Sequence, residues 1–267
     1  MSYSRVQLHH EIHRCLNPNA GWVLMVHGAG GSTRTWRKQV DAFSKNYHVL
    51  LVDLPGHAGS ADKTAHQDKY DFEWISSRIW AVVDCYTSAP IHVVAVSLGS
   101  IIAMQMYEQR PGGVASLLFA GPIVSLNVKL RILARAGLTI ARVIGFRNFY
   151  SLMAMIVLPR KNHKKSREIF VRESKFLSIE EYRKWTAMYG RYLDDTLRKL
   201  FNLQPEIPML ILVGGQDHLF LKPTLQYGER FRQIQVEVVH RCGHLVSLEK
   251  SEAFNARCLD FLASFRK

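Results

Sequence analysis

Ser97 is the first residue of this 267-residue chain whose surroundings suggest covalent chemistry. It stands in the segment Ala95-Val-Ser-Leu-Gly99, directly after an apolar run and before a helical pattern. Small residues two places before and after a serine let a strand turn sharply into a helix, which lifts the hydroxyl clear of the backbone. The segment therefore predicts a catalytic serine, although an ordinary helix N-cap serine fits the same five residues.

A serine hydroxyl is a poor nucleophile near neutral pH, so Ser97 would need a general base and an acid that orients the base. Among the 12 histidines, His244 is the best placed, in a glycine-containing loop after the predicted strand 234–239. Asp217 ends the segment Gly214-Gly-Gln-Asp217, directly after the predicted strand 208–213. Taken singly, each also fits a common role, a surface loop histidine and a turn aspartate.

The order of these three residues along the chain strengthens the prediction. Ser97, Asp217 and His244 follow one another in that order, each just past the C-terminal end of a predicted strand. In an open α/β sheet that edge is where ligands bind, so the order predicts that the three side chains meet as nucleophile, acid and base. His218 and His240 flank the last two, and we expect them beside the site or at the surface without a catalytic role.

A glycine-rich segment, His27-Gly-Ala-Gly-Gly31, follows the first predicted core strand. Glycines let backbone N–H groups approach a substrate oxygen, and each fixed donor of this kind is worth roughly 2.7–4 kcal/mol in acyl transfer. We expect the amides of Ala29 and Leu98 to be those donors. A phosphate-binding loop is the weaker interpretation, because no Lys-Ser/Thr pair follows the glycines and the G-x-G-x-x-G spacing is not met.

Alternating apolar runs and helical patterns over the first 121 residues must position these groups. Near-continuous apolar strands separated by helices indicate a parallel sheet that is covered on both faces. Residues 4–13 alternate weakly and are predicted as an antiparallel edge strand. The predicted strands are residues 22–27, 47–53, 91–96, 115–120, 208–213 and 234–239, and the predicted core helices are residues 34–45, 71–86, 101–108 and 251–265.

Between residues 122 and 204 the pattern changes to a helical and basic stretch, before strand signals return. The simplest organisation is one α/β domain, residues 1–121 and 205–267, interrupted by a helical insertion over residues 122–204. Residues 126–200 contain 17 Lys+Arg and 6 Asp+Glu, a net charge of +11, and so hold most of the chain's +13.

Composition excludes several classes of protein. With 48% hydrophobic and 21% charged residues, the chain is neither low-complexity nor disordered. We find no apolar run approaching the roughly 20 residues of a bilayer span, and we expect no secretory signal. The four cysteines have neither the spacing of a disulfide framework nor that of a zinc site, so we expect no metal and a reducing, cytoplasmic setting. Cys242 is expected to be structural.

Five segments in the right order and spacing together resemble the α/β-hydrolase fold family over essentially the whole chain. The resemblance implies an eight-stranded, mostly parallel sheet with a helical cap inserted after the sixth strand, where residues 122–204 fall. It also implies Ser97 as nucleophile, Asp217 as acid and His244 as base. The segments are His27-Gly-Ala-Gly, Asp53-Leu-Pro-Gly-His-Ala-Gly-Ser60, Ala95-Val-Ser-Leu-Gly99, Gly214-Gly-Gln-Asp217 and Gly243-His-Leu-Val-Ser-Leu-Glu249.

The residue at the sharp turn separates branches within this family. A serine there argues against the haloalkane dehalogenase and epoxide hydrolase branches, which use Asp, and against dienelactone-hydrolase-like members, which use Cys. Ala95 stands where Gly is usual, and Ser100, where many members have Gly, is expected to crowd the helix packing slightly. His57 is expected to be mostly structural, and it remains with His27 as a candidate for substrate contact.

The expected activity is that of a cofactor-independent serine hydrolase that cleaves a carboxylic ester or thioester through an acyl-enzyme on Ser97. Leu, Ile, Met and Phe in the insertion suggest an apolar acyl or aromatic group. One alternative is a lyase or C–C bond hydrolase, in which Ser97 and His244 handle protons without a lasting acyl-enzyme. Another is a ligand receptor with low turnover on the same scaffold.

The basic insertion has its own set of interpretations. Arg131, Arg135 and Arg142 share one face of a helix predicted over residues 129–147, and residues 160–167 add a dense run of charge. An acidic acyl-carrier protein, an acyl-CoA or an anionic membrane surface would each fit, and so would a merely solvated face. Nucleic acid is not expected, because no helix-turn-helix or RNA-binding motif is present.

Overall fold

The computed structural model describes residues 7–126 and 128–265, with the backbone alone for residues 129 and 133–135. Its strands are β1 (His10–His13), β2 (Trp22–Val26), β3 (His48–Val52), β4 (Ile91–Val96), β5 (Val114–Ala120), β6 (Met209–Gly214) and β7 (Ile234–Val239). They form one sheet in the order β1-β3-β2-β4-β5-β6-β7. Neighbouring strands are parallel, except that β1 pairs antiparallel with β3.

The predicted α/β class with a mostly parallel sheet is confirmed, and the strand number is corrected. The resemblance implied eight strands, whereas seven occur in the part of the chain just defined. The predicted edge strand 4–13 is the short β1, and its first residues, 4–6, lie outside the described residues. All residues of β2 and β3 are buried, as expected for strands covered on both faces.

Helices cover both faces of the sheet and enclose two hydrophobic layers. In chain order they are α1 (Arg37–Phe43), α2 (Ala61–Thr64), α3 (Phe72–Val83), α4 (Leu98–Gln109), α5 (Val128–Ile144), α6 (Phe146–Val157), α7 (Lys164–Glu173), α8 (Ile179–Asn202), α9 (Leu221–Arg230), α10 (Val246–Glu249) and α11 (Ser251–Ala263). One layer packs α3, α4 and α8 against the sheet, and the other packs α1, α10 and α11.

Four helices, α5 to α8, lie between β5 and β6, where the sequence predicted the helical insertion 122–204. The single helix predicted over residues 129–147 is instead two helices, because Gly145 takes φ 82° and ends the first one. Helix α8 joins this group to the sheet, since the Trp185 indole N–H donates to the Pro55 carbonyl over 3.0 Å. The division into a core and a separate cap stays a prediction.

Helix α8 is the longest, at 24 residues, and it carries charged side chains along its length. Within the described ranges, no helix combines the length and the hydropathy needed to cross a membrane.

Candidate active site

Ser97 lies at a sharp turn between β4 and α4. Its backbone takes φ 52° and ψ −120°, a conformation that non-glycine residues rarely adopt outside functional turns. The turn is possible because Gly99 has no side chain: a Cβ there would lie 2.5 Å from the Val26 carbonyl oxygen. The Ser97 amide donates to the Ala120 carbonyl over 3.2 Å, which fixes the turn against β5.

Ser100, expected to crowd this turn, is accommodated by hydrogen bonds. Its hydroxyl donates to the Ser97 carbonyl over 2.6 Å and accepts the Ile123 amide at 3.2 Å. Ala95, which stands where glycine was usual, is fully buried within β4. Neither departure from the family pattern displaces the serine hydroxyl.

The structure brings Ser97, His244 and Asp217 together in one hydrogen-bonded line. The His244 Nε2 atom lies 2.9 Å from the Ser97 Oγ atom, and its Nδ1 atom lies 2.7 Å from the Asp217 Oδ2 atom. With an acceptor carboxylate on one side and a hydroxyl on the other, the ring is assigned the Nδ1–H tautomer. The hydroxyl proton then points at a basic nitrogen, which is the arrangement that a serine nucleophile needs.

Asp217 is buried and its carboxylate is fully engaged. Its Oδ1 atom accepts the amides of Leu219 and Phe220 at 3.2 and 3.1 Å. Burial alone raises the pKa of this carboxyl. The adjacent His244 ring, which donates a hydrogen bond to this carboxylate, and those two amides outweigh burial and hold the pKa below its ordinary value. The carboxylate is therefore ionised at neutral pH and can stabilise a positive His244 ring.

The loop that carries His244 is held by a carboxylate that the sequence reasoning did not single out. Glu249 accepts the amide of Gly243 at 2.8 Å and the amide of Leu245 at 3.2 Å, so it grips the residues on both sides of His244. Glu249 is the last residue of a segment that carries the family resemblance, which was the available signal. Its role depends on the loop geometry, which the sequence does not display.

A buried histidine from the insertion also reaches this loop. His163 lies just before α7, and its Nε2 atom is 2.9 Å from the Gln216 side-chain oxygen and 3.7 Å from Glu249. Gln216 directly precedes Asp217, and Glu249 holds the loop that carries His244. The His163 side chain therefore lies against residues next to both Asp217 and His244. Sequence reasoning missed His163 because its partners lie more than 50 positions away along the chain.

The glycine-rich loop 27–31, which the sequence suggested as a source of oxyanion donors, lies against Ser97. A Cβ on Gly28 would lie 3.1 Å from the Ser97 Cβ atom. The next two glycine amides are used within the fold: that of Gly30 donates to His57 and that of Gly31 to the Gly28 carbonyl.

Ala29 and Leu98 both line the cavity above Ser97. Leu98 is the first residue of α4, where amides have no acceptor within the helix. Across the described ranges we find no protein acceptor for the Ala29 or the Leu98 amide. Neither amide is therefore used within the described part of the fold, and their role as oxyanion donors stays a prediction.

His27 and His57, the candidate substrate contacts, support the loop from behind. The His27 Nε2 atom accepts the Leu54 amide at 3.0 Å, and the His57 Nε2 atom accepts the Gly30 amide at 3.1 Å. Their Nδ1 atoms donate to backbone carbonyls. Burial lowers the pKa of His27 to about 4 and, together with the nearby His27 ring, the pKa of His57 to about 3. With both nitrogens of each ring engaged, neither is available to a substrate.

The remaining singled-out residues lie outside the hydrogen-bonded line. His218 and His240 are exposed. Cys242 is buried, and burial with the nearby Glu249 raises the pKa of its thiol to about 12, so it is not a nucleophile at neutral pH. Among the residues that the structure covers, no group of histidine, cysteine and carboxylate side chains could hold a metal ion.

A cavity of about 250 Å³ opens above Ser97 and His244. Side chains from α5 to α8 form its roof, and nearly all of them are aliphatic or aromatic. Of the described residues that line it, none is lysine or arginine. The larger lining side chains are Trp36, Ile101, Leu130, Phe149, Tyr150, Met153, Phe170, Tyr182, Tyr189, Leu193 and Phe220.

Glu173 is the one carboxylate among the described residues of the cavity lining. Its Oε2 atom accepts the Ser32 hydroxyl at 2.8 Å and the Arg34 Nε–H at 3.3 Å. Burial raises the pKa of this carboxyl, but the bonds from Ser32, Arg34 and Arg172 outweigh burial and hold the pKa below its ordinary value. The cavity therefore has an ionised carboxylate in its wall and no described cation in its lining.

The sequence of this chain is similar to those of known proteins with the alpha/beta hydrolase fold. A family model described as alpha/beta hydrolase fold matches residues 21–251. Monoacylglycerol lipase abhd6-B of Xenopus laevis is 25% identical over 272 residues, which cover 91% of this chain and 76% of that protein. The 2-succinyl-6-hydroxy-2,4-cyclohexadiene-1-carboxylate synthase of Klebsiella pneumoniae is 32% identical over 104 residues, 39% of each chain.

Solved structures agree on the fold. The esterase EaEST from Exiguobacterium antarcticum has a TM-score of 0.81 at 17% identity, over 96% of this chain and 95% of that one. Matches to three curated relatives, the Klebsiella synthase among them, span only 33% to 63% of the relatives' own length.

Proposed function

The chain belongs to the alpha/beta hydrolase fold family, and from that premise we propose that it is a serine hydrolase for uncharged, apolar carboxylic esters or thioesters. The observation that carries the proposal is the line Ser97–His244–Asp217, with spacings of 2.9 and 2.7 Å, at the floor of an apolar cavity. A nucleophile, a base and an orienting acid in that geometry suit acyl transfer.

In the proposed reaction the Ser97 Oγ atom attacks the acyl carbonyl carbon while His244 Nε2 takes the hydroxyl proton. The carbonyl oxygen becomes an oxyanion, which the Ala29 and Leu98 amides stabilise, and Asp217 stabilises the positive His244 ring. The bond to the leaving group then breaks, and His244 returns its proton to the departing alcohol or thiol. Water attacks the acyl-enzyme by the same route, which releases the acid and restores Ser97.

The cavity lining supports the choice of an uncharged acyl group. Burying a carboxylate in a site without a cation costs several kcal/mol, on the order of the unpaired-charge penalties seen in protein interiors. No lysine or arginine lies among the described lining residues, and Arg34 and Arg172, which approach the wall, are already paired with Glu173. Aliphatic and aromatic walls favour a hydrocarbon chain or an aromatic ring instead.

A lyase or C–C bond hydrolase is the second candidate, because the matched Klebsiella protein is a synthase. The compound in that protein's name carries a succinyl and a carboxylate group, so it is anionic. A substrate of this kind would need cationic partners, which the described cavity lining lacks. The ester-hydrolase proposal fits the lining better.

Labelling with a fluorophosphonate, with the modified residue located by mass spectrometry, tests the nucleophile. We expect a single adduct on Ser97 that Ser97→Ala removes, and turnover of p-nitrophenyl esters and thioesters that the same substitution abolishes. Ser247→Ala is the matched control, because Ser247 also lines the cavity but lies outside the triad. Labelling of Ser97 without turnover of any ester or thioester would support the alternative of a ligand receptor with low turnover. Turnover of esters that survives Ser97→Ala would overturn the proposal.

A further inference from the structure

Helix α5 exposes an apolar stripe on its outer side. Val128, Ile132 and Val143 are 68%, 62% and 80% exposed, and their spacing puts them on one face of the helix, where the exposed Thr139 also lies. We call the three aliphatic residues the outer stripe. Single exposed apolar residues are common, but a row of them along one helix face marks an interaction surface.

The opposite face of α5 is already occupied. Ala141 is buried there, and Leu130 lines the cavity above Ser97. Helix α5 packs against α6 and α8. Packing against α6, α8 and the cavity explains the apolar residues on the inner face of α5. It does not explain the apolar residues on the outer face. The outer stripe faces away from the cavity and lacks a described partner.

Apolar exposure continues past the end of α5. Ile144 is 38% exposed at the turn into α6, and Leu152 and Met155 on α6 are 41% and 53% exposed. The exposed Arg142 and Arg147 lie at this same turn. Aliphatic side chains next to arginines are the composition of helices that lie in the interface of a bilayer.

The charge of the surrounding segment favours an anionic surface. Residues 126–200 have a net charge of +11, which already counts every Asp and Glu of the segment. Three of its carboxylates, those of Glu173, Glu181 and Asp194, pair with Arg172, Lys184 and Arg131 of the same segment. The remaining positive charge is therefore not balanced within the segment. Each Lys or Arg near an anionic leaflet strengthens binding by about fivefold.

We propose that the outer stripe, with Ile144 and the arginines at the α5–α6 turn, binds the surface of an anionic lipid bilayer. The aliphatic side chains would enter the headgroup boundary, and Arg142 and Arg147 would contact lipid phosphates. An acidic protein would use the arginines but not the stripe, which has no aromatic side chains of the kind that anchor protein interfaces. Helix α5 would then separate the bilayer from the cavity.

Sedimentation with lipid vesicles tests this surface directly, without reference to enzymatic activity. The test variant carries Arg142→Glu and Val143→Ser. The matched control carries Leu16→Ser and Lys45→Glu, which remove the same side-chain types at exposed positions near the β1–β2 turn. We expect the parent chain and the control to bind phosphatidylcholine vesicles that contain phosphatidylglycerol, and the test variant to bind about tenfold more weakly or less.

Binding should fall as salt is added, because surface charges are screened. Arg147→Glu with Leu152→Ser, on α6, gives a second test if the first variant does not fold, as judged by circular dichroism. Equal binding of test variant and control, equal binding to vesicles of phosphatidylcholine alone, or binding of an acidic carrier protein but not of vesicles would each overturn the proposal.

Discussion

Glycines next to Ser97 give its unusual backbone the room that it needs. We predict that Gly99→Ala lowers the free energy of unfolding by about 1–3 kcal/mol, because the new Cβ would meet two backbone carbonyl oxygens, of Val26 and His27, at 2.5 and 2.8 Å. Urea unfolding measures this, and ester turnover should fall with it. Gly190→Ala in α8 is the control: nothing lies within 4 Å of its Cβ, so it should stabilise by roughly 0.5–1 kcal/mol. Equal stability of the two variants would contradict the prediction.

Two buried neutral histidines make the fold sensitive to acid. Burial lowers the pKa of His27 to about 4 and of His57 to about 3, from the 6.5 of an unfolded chain. Below pH 6.5 the unfolded chain takes up protons that the folded chain does not. We therefore predict that the free energy of unfolding decreases as pH falls from 6.5 toward 4, by roughly 1.4 kcal/mol per pH unit for each ring.

Urea unfolding at pH 7, 6 and 5 measures this slope. His57→Asn should reduce it by about half. The exposed His66, changed to Asn, controls for the loss of a histidine as such. A parent chain that is as stable at pH 5 as at pH 7 would be inconsistent with neutral rings at these positions.

At the scale of elements, the loop between β7 and α10 decides where the His244 ring stands. Glu249→Gln keeps one acceptor but turns an amide donor toward a backbone N–H, so one of the bonds to Gly243 and Leu245 is lost. We predict a kcat lower by roughly 10- to 100-fold on a short, soluble p-nitrophenyl ester, because small displacements of a catalytic group are costly. KM should change little, since Glu249 does not line the cavity.

Glu252→Gln, at an exposed position one residue into α11, is the matched control for the charge removed. Thermal unfolding of both variants shows whether a lower kcat comes from a displaced loop, with an unchanged Tm, or from a destabilised fold, with a lower Tm. A raised KM with an unchanged kcat would assign Glu249 a part in substrate binding instead.

Strands were the most predictable elements, and the insertion was the least. The predicted strands 91–96 and 234–239 match β4 and β7 residue for residue, because a short apolar run and an alternation of apolar with polar residues, each between turns, have few other interpretations. The predicted helix 129–147 was wrong as a single element, since its apolar pattern continues through Gly145, where the backbone turns. The face predicted for Arg131, Arg135 and Arg142 lies partly outside the described residues, because the Arg135 side chain is not described.

In the candidate site too, the residues at strand ends were predictable and the contacts from residues 122–204 were not. The order of Ser97, Asp217 and His244, with the position of each just past a predicted strand, predicted that they would meet, because the C-terminal ends of parallel strands share one edge of a sheet. Their catalytic roles stay predictions. The contact between His163 and Gln216 joins the segment before α7 to the loop after β6 across 53 positions, and no local pattern encodes it. Such long-range contacts form only when residues distant in the sequence have folded together.

Across the whole molecule, the positive charge of the described residues within 126–200 lies outside the lining of the cavity that the same segment helps to form. The segment 126–200 carries a net charge of +11, yet the described residues of the cavity lining include no lysine or arginine. Positive charge on the outer surface is screened by water and salt and cannot compensate a carboxylate held inside an apolar cavity. Net charge therefore bears on the partners of the protein, and the cavity lining bears on its substrates.

This separation predicts a preference that two esters of equal length can measure. The p-nitrophenyl esters of hexanoic acid and of adipic acid differ by a terminal carboxylate. We predict that kcat/KM for the adipate half-ester is lower by about 100-fold or more, because its carboxylate would be buried among aliphatic and aromatic side chains without a cation in the described lining. Thr186→Arg would place a cation in the cavity wall and should narrow the difference, whereas Thr186→Met, of similar length but uncharged, should not. Comparable efficiency with both esters in the parent chain would mean that the acyl end of the substrate remains in water, and the apolar cavity would then serve the leaving group.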